Sequence, residues 1–168
     1  MDTTKSIALL TFSIIAIAIS MLIIKWLTNK LKSKSNPDHT LNISLNIWIG
    51  FLVLAYFIIL GKSLVLLNEG VDIILNSAIT NILWKIVQTS SIFWGLTLVW
   101  FFVWHFISGY LTLLLLNTKS DSIEVDRNNW SYFLTRGIIL AGSVFVVTPV
   151  FEILLRIFIP AIEIPFYH

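Results

Sequence analysis

The chain has 168 residues, of which 57% are hydrophobic and only 12% are charged, and its mean hydropathy is +0.90. The formal net charge is +2, and the lysines and arginines do not form the clustered basic face that nucleic-acid binding requires. The sequence has no cysteine, which excludes disulfides, thiolate metal sites and cysteine nucleophiles. Three histidines remain as soft metal ligands, and no two share helical spacing, so neither a metal nor another cofactor is expected.

Four apolar runs cover most of the chain, and each is long enough to cross a bilayer. A hydrocarbon core about 30 Å thick requires about 20 helical residues. The runs lie at 6–27, 43–67, 89–116 and 131–159. The sequence therefore predicts an all-α integral membrane protein in which 1–168 form a single polytopic membrane domain.

The first run is interpreted as a retained transmembrane helix rather than as a signal peptide. Its apolar stretch, 7–24, is longer than the hydrophobic region of a usual signal peptide. Lys25 and Trp26 follow it, and no small-residue cleavage site of the Ala-x-Ala kind is present. All four runs therefore count as spans.

Positive charges predict the orientation of the spans. Segment 28–41 carries three lysines, and segment 117–130 carries a lysine and an arginine. The positive-inside rule therefore places both segments in the cytoplasm and both termini outside, for example in a bacterial inner membrane. Arg136, near the start of the fourth span, is expected to anchor that helix to anionic headgroups. The candidate contacts for a cytoplasmic partner or for lipid are Lys30, Lys32, Lys34, Lys119, Arg127 and Arg136.

Segment 71–87 has apolar residues at helical spacing and polar residues mostly on the other side. This pattern predicts an amphipathic helix on the outer membrane surface, with Gly70 as the break after the second span. Alternatively, the segment extends the third span into a long, tilted helix. In either case the four spans form two hairpins, each with a cytoplasmic connection.

Ionisable residues inside the spans are the main functional candidates, because charge is costly in hydrocarbon. With a rise of about 1.5 Å per residue, Lys62 and Glu152 lie at similar depth in the outer half of the membrane. Arg156 lies one turn beyond Glu152, and Pro149 would free backbone carbonyls beside it. Three interpretations stay open. The cations could snorkel to headgroups while Glu152 pairs with Arg156, Lys62 and Glu152 could lock the two hairpins, or the group could line an ion pathway.

The third span carries a histidine near its middle. His105 could relay protons, since histidine titrates near neutral pH. Alternatively, it could form a hydrogen bond with a hydroxyl such as that of Ser108, or with a residue across the bundle.

The tryptophans, together with Tyr167, are divided into two groups by their position in the spans. Those inside the third span are interpreted as lipid-facing and interhelical filler or, alternatively, as a constriction or a lipid-binding face. Aromatic residues near the span ends are typical of an interfacial belt. The third-span group is Trp94, Trp100 and Trp104, and the belt is Trp26, Trp48, Trp84, Trp130 and Tyr167.

Pairs of small residues four positions apart mark faces where helices can approach closely. They could serve packing within the chain or self-association. The pairs are Ala16/Ser20, Ser91/Gly95 and Gly137/Ala141.

No enzymatic activity is expected, because no span contains an aspartate and His105 has no recognisable nucleophile partner. The first hypothesis is a non-catalytic membrane subunit that oligomerises and anchors or senses for a larger assembly. It would dock a cytosolic protein on its inward connections, as in a bacterial stress-response or phage-defence complex. The second hypothesis is a homo-oligomeric ion channel lined by the charged residues of the second and fourth spans. A small transporter is the third.

Overall fold

A computed structural model describes residues 2–31, 43–77, 81–117 and 120–159. Within these ranges the chain is helical and contains no strand, which confirms the all-α prediction. Four helices are long and apolar enough to cross a membrane, and they indicate a multi-pass membrane protein. The helices are α1 (Asp2–Leu31), α2 (Ile43–Asn76), α3 (Ile82–Leu116), α4 (Asp121–Asp126) and α5 (Trp130–Arg156).

Helix α2 lies at the centre of the bundle and packs along its length against α5. The two helices run in parallel, since Phe51 lies against Gly137 near their starts and Lys62 meets Glu152 further along. Helix α3 runs in the opposite direction and contacts both of them. The ring of Trp100 on α3 stacks on that of Phe151 with centroids 5.4 Å apart.

Helix α1 is attached to the bundle mainly through α2. The hydroxyl of Tyr56 on α2 donates to the carbonyl of Ala16, 3.4 Å away. Near the other end of α1, Lys5 Nζ lies 2.5 Å from Asp72 Oδ1. The small pair Ala16/Ser20 belongs to this contact, while the opposite side of α1 exposes apolar side chains. The buried residues of α1 recur at every fourth position: Ala16, Ser20, Ile24 and Thr28.

Segment 71–87 does not form the predicted separate surface helix. Helix α2 continues to Asn76 and α3 begins at Ile82, so the segment is divided between two long helices. Gly70 does not break α2, because it lies inside the helix and packs near Thr89. Part of the apolar side of the segment is buried, since Val71, Ile74 and Ile86 have little or no exposed surface, whereas Leu83 is exposed.

The two predicted hairpins do not stand apart as separate units, because α2 and α5, which belong to different hairpins, make the most extensive contact. Helix α5 also continues through Pro149, so the proline does not interrupt it. The neighbouring Thr148 hydroxyl donates to the carbonyl of Val144, 2.8 Å away. A buried hydroxyl on α3 is satisfied in the same way, since Thr97 donates to the carbonyl of Phe93 at 2.8 Å.

Candidate functional site

One end of the bundle carries the ionic residues that the sequence singles out. Lys62 Nζ lies 3.0 Å from Glu152 Oε1, so the predicted contact between α2 and α5 is present. Arg156 does not pair with Glu152 as one interpretation expected. Its Nη1 instead lies 3.1 Å from Oε2 of Glu69 on α2. Together with Lys5–Asp72, this end has three ion pairs between helices, and α2 contributes one partner to each.

These ion pairs are exposed at the side of the bundle rather than enclosed by it. The side chain of Lys62 is 51% exposed and that of Glu152 is 31% exposed. Pairs of this exposure contribute about 1 kcal/mol or less when water reaches them. Their geometry therefore favours a weak lock between helices over a charged interior path.

The coupling between Lys62 and Glu152 can be measured by a double-mutant cycle. We expect Lys62→Met and Glu152→Gln to lower the free energy of unfolding by about 1 kcal/mol or less each, and the double variant to lose no more than either single one. Thermal and denaturant unfolding in detergent would measure this. Lys85→Met is the matched control, because Lys85 Nζ donates to Gln88 of its own helix and forms no ion pair with another described residue. Fully additive losses would contradict the lock.

Arg136 lies near the opposite end, where it is expected as a headgroup anchor, but it is buried and paired within the chain. Its side chain is only 5% exposed, and Nη1 forms an ion pair with Oδ2 of Asp121, the first residue of α4. The guanidinium carbon lies 4.4 Å from the ring centroid of Trp48 on α2. A Cβ atom on Gly109 of α3 would lie 2.8 Å from Nη2. One arginine of α5 therefore contacts α2, α3 and α4.

Asp121 is held from two sides. Its Oδ1 accepts a hydrogen bond of 2.5 Å from the hydroxyl of Tyr132, while Oδ2 faces Arg136. Ser120 caps α4, and its side chain accepts from the backbone N–H of Ser122. The carboxylate thereby joins the start of α4 to the first turns of α5.

The rest of the connection between α4 and α5 is also tied to the bundle. Asn129 Nδ2 donates to Glu124 Oε2 at 2.6 Å. The backbone N–H of Ser44, at the start of α2, donates to Asn128 Oδ1 at 3.1 Å. Segment 120–129 is therefore attached to the end of the bundle at several points.

His105 belongs to the same region. Its ring lies 5.7 Å from that of Trp48 and 6.3 Å from that of Phe101, centroid to centroid. Ser108 does form a hydrogen bond with this residue, but its hydroxyl donates to the main-chain carbonyl at 3.0 Å rather than to the ring. Within the described part of the chain, Nδ1 of His105 has no hydrogen-bond partner. Trp48, His105, Asp121, Tyr132 and Arg136 are hereafter called the Arg136 cluster.

The sequence predicts separate roles for Trp48, His105 and Arg136, and none for Asp121 or Tyr132. Trp48 is expected in the interfacial belt, yet it has no exposed surface. Asp121 has no predicted role, because acidic residues hardly affect the positive-inside rule. The available signal was the capping pattern Ser120-Asp121-Ser122, which is typical of a helix start.

The other predicted contacts lie apart from the cluster. Lys30 lies over the ring of Trp26, 3.8 Å from its centroid, and Arg127 is exposed in the turn after α4. Lys32, Lys34 and Lys119 lie outside the described residues. Among the described residues, no group of histidine, aspartate and glutamate side chains could hold a metal ion.

The chemistry available to the Arg136 cluster is the binding of an anion. A guanidinium is a planar fork of donors that matches carboxylate and phosphate groups, and it packs well on an aromatic face. In this structure the anion is the carboxylate of Asp121. Comparison of the chain with models of protein families, with curated proteins and with solved structures finds no match.

Proposed function

We propose that the chain is a non-catalytic membrane subunit that anchors or senses for a larger assembly and docks a cytosolic protein on segment 120–129. The observation that supports this is the attachment of α4 to the bundle through Arg136 and Asp121. A connection held in one conformation can bind a partner without the entropic cost of ordering a loop. The Arg136 cluster therefore serves to position a surface outside the membrane.

The topology of the proposal follows the distribution of positive charge. Segment 120–129 faces the cytoplasm and both termini face outward, as the basic residues of 28–41 and 117–130 favour. In this arrangement the hairpins α1–α2 and α3–α5 enter from the outside, and α2 and α5 join them. A bacterial inner membrane is the location that we propose.

The docking surface is the outward side of α4 and the turn that follows it. Glu124 and Val125 are buried against the bundle, whereas Ile123 and Arg127 are exposed. An exposed isoleucine beside a basic side chain suits a partner surface with an apolar patch and an acidic rim. We further propose that several copies associate through exposed apolar faces of the spans, such as the side of α3 that carries Ser91 and Gly95.

Co-purification with variants tests the docking proposal. We expect a soluble protein to co-purify stoichiometrically with the full chain in mild detergent. Ile123→Ser combined with Arg127→Glu is expected to lower its recovery about tenfold, because burying a mismatched charge at an interface is costly. Lys85→Glu is the control, since Lys85 lies at the other end of α3. Equal recovery with both variants, or a particle that contains only this chain, would contradict the proposal.

An ion channel has less support from the geometry. Lys62 and Glu152 neutralise each other at an exposed side of the α2–α5 contact. Buried threonine hydroxyls of α3 donate to carbonyls of their own helix, as Thr112 does to Ser108 at 2.7 Å. The same features give little support to a small transporter.

A further inference from the structure

We infer that Arg136 is a binding site for a phosphate oxyanion, and that the Asp121 carboxylate occupies this site in the present conformation. The ligand class is a phosphate group, carried either by an anionic phospholipid or by free phosphate. Binding would exchange one anion for another at the same guanidinium. No additional cavity is needed, because the ligand takes the place of a carboxylate at the start of α4.

The guanidinium has more donors than Asp121 satisfies. The ion pair joins Nη1 of Arg136 to Oδ2 of Asp121, while Oδ1 accepts from the hydroxyl of Tyr132. Nε and Nη1 of Arg136 have no hydrogen bond within the described part of the chain, although Nη1 is ion-paired. A phosphate group has several oxygens and can accept from two edges of a guanidinium at once. The buried arginine therefore matches a phosphate better than it matches the carboxylate now paired with it.

Two neighbouring side chains have further polar atoms without a partner. Nε1 of Trp48 and Nδ1 of His105 are buried and have no hydrogen-bond partner among the described residues. An indole N–H is a donor, and imidazole Nδ1 donates in one of its two tautomers. Both rings belong to the cluster, since the Trp48 ring lies 4.4 Å from the guanidinium carbon and 5.7 Å from the His105 ring. Leaving buried donors unpaired is costly, so an acceptor that enters the cluster within reach of either donor is favoured.

The position of the cluster suits a ligand at the membrane surface. Arg136 follows Trp130, the first residue of α5, by six residues, which is about 9 Å along the helix axis. Tryptophan at a span end is typical of the headgroup level. The Arg136 side chain extends back from this depth toward the end of the span, because its guanidinium meets Asp121 of α4. Segment 120–129 lies over this end, and Asp121 is its ionic link to Arg136.

Asp121→Asn provides the test, because it removes the competing anion and keeps the size of the side chain. The full chain in mild detergent would be titrated with phosphatidylglycerol in one arm and with inorganic phosphate in the other. We expect Asp121→Asn to bind one of these ligands about tenfold more tightly than the unmodified chain, since a charged contact is gained. Arg136→Gln is expected to lose this binding. Glu69→Gln is the matched control, because it frees the exposed Arg156 and should leave affinity unchanged.

The two arms distinguish the source of the phosphate. A response to phosphatidylglycerol alone assigns a lipid headgroup, and a response to inorganic phosphate assigns a soluble ligand. Equal affinity of the unmodified chain and Asp121→Asn, or retained binding in Arg136→Gln, would overturn the site.

If Asp121→Asn does not fold, Tyr132→Phe provides the same test. This variant removes the hydroxyl that holds Asp121 Oδ1, and we expect about threefold tighter binding because the competing carboxylate is held less firmly. Unchanged affinity in this variant would also overturn the site. No protein partner takes part in the experiment, so its result is independent of the docking test.

Discussion

Asp121→Asn is expected to lower the free energy of unfolding by about 3 kcal/mol in an uncharged detergent, because it leaves Arg136 buried without a counter-charge. Arg136→Met is expected to cost about half as much. The reason is the unequal exposure of the two partners. The Asp121 side chain is 25% exposed and can still reach solvent, whereas that of Arg136 is 5% exposed and cannot. The double variant should resemble Arg136→Met alone, since no unpaired buried charge remains.

Denaturant or thermal unfolding followed by circular dichroism would measure these differences. Glu69→Gln is the control for loss of a carboxylate, because the Glu69–Arg156 pair is about half exposed on both sides. It should change the free energy of unfolding by about 1 kcal/mol or less. A larger loss from Arg136→Met than from Asp121→Asn would show that an unpaired buried charge is not the main cause of the destabilisation.

The helical membrane fold could be predicted from the sequence because bilayer thickness sets a minimum length for apolar runs. The ends of the helices could not be placed in the same way. The hydropathy of the sequence predicts that the second span ends near residue 67, but α2 continues to Asn76. Burial against neighbouring helices, rather than hydrocarbon length, stabilises those additional turns, and Ile74 is fully buried there.

The depth estimate predicts that Lys62 and Glu152 can meet, whereas the pairing of Glu152 with Arg156, expected in one interpretation from their one-turn spacing, is not observed. The rise per residue fixes height along the membrane normal and says nothing about which neighbour a side chain faces. Glu69 lies seven residues after Lys62, on the same side of α2, and reaches Arg156 from there. A sequence-level search for opposite charges at matching heights on parallel helices would have found this second pair.

The Arg136 cluster could not be predicted because it depends on the turn between α4 and α5, which brings Asp121 back to Arg136. The positive-inside rule treats a basic residue near a span end as interfacial, whatever folds over it. Helix α4 has only six residues, too few for hydrophobic periodicity to identify it. Its position alone brings Asp121 to Arg136, so the burial of the arginine followed from tertiary structure.

Gly137→Ala is expected to lower the free energy of unfolding by about 2 kcal/mol, through overpacking at the α2–α5 contact. A Cβ atom on Gly137 would overlap Cγ and Cδ2 of the Phe51 ring and would lie 2.8 Å from its Cβ. Rotation of the Phe51 ring would leave its Cβ in place, because that atom is bonded to the main chain of α2. The remaining contact can therefore be relieved only by a shift of the helix. The gain in helix propensity, about 1 kcal/mol, is too small to offset this.

Gly142→Ala is the matched control on α5, since a Cβ atom there meets nothing within 4 Å. It should leave stability unchanged or raise it slightly, by the same propensity effect. Phe51→Val in the Gly137→Ala background should recover part of the loss, because it removes the ring atoms that overlap. If Gly137→Ala is as stable as Gly142→Ala, the close approach of α2 and α5 does not contribute to the free energy of unfolding. If it is destabilised as expected, the coupling between Lys62 and Glu152 should also fall, because a wider spacing of the two helices would separate their charges.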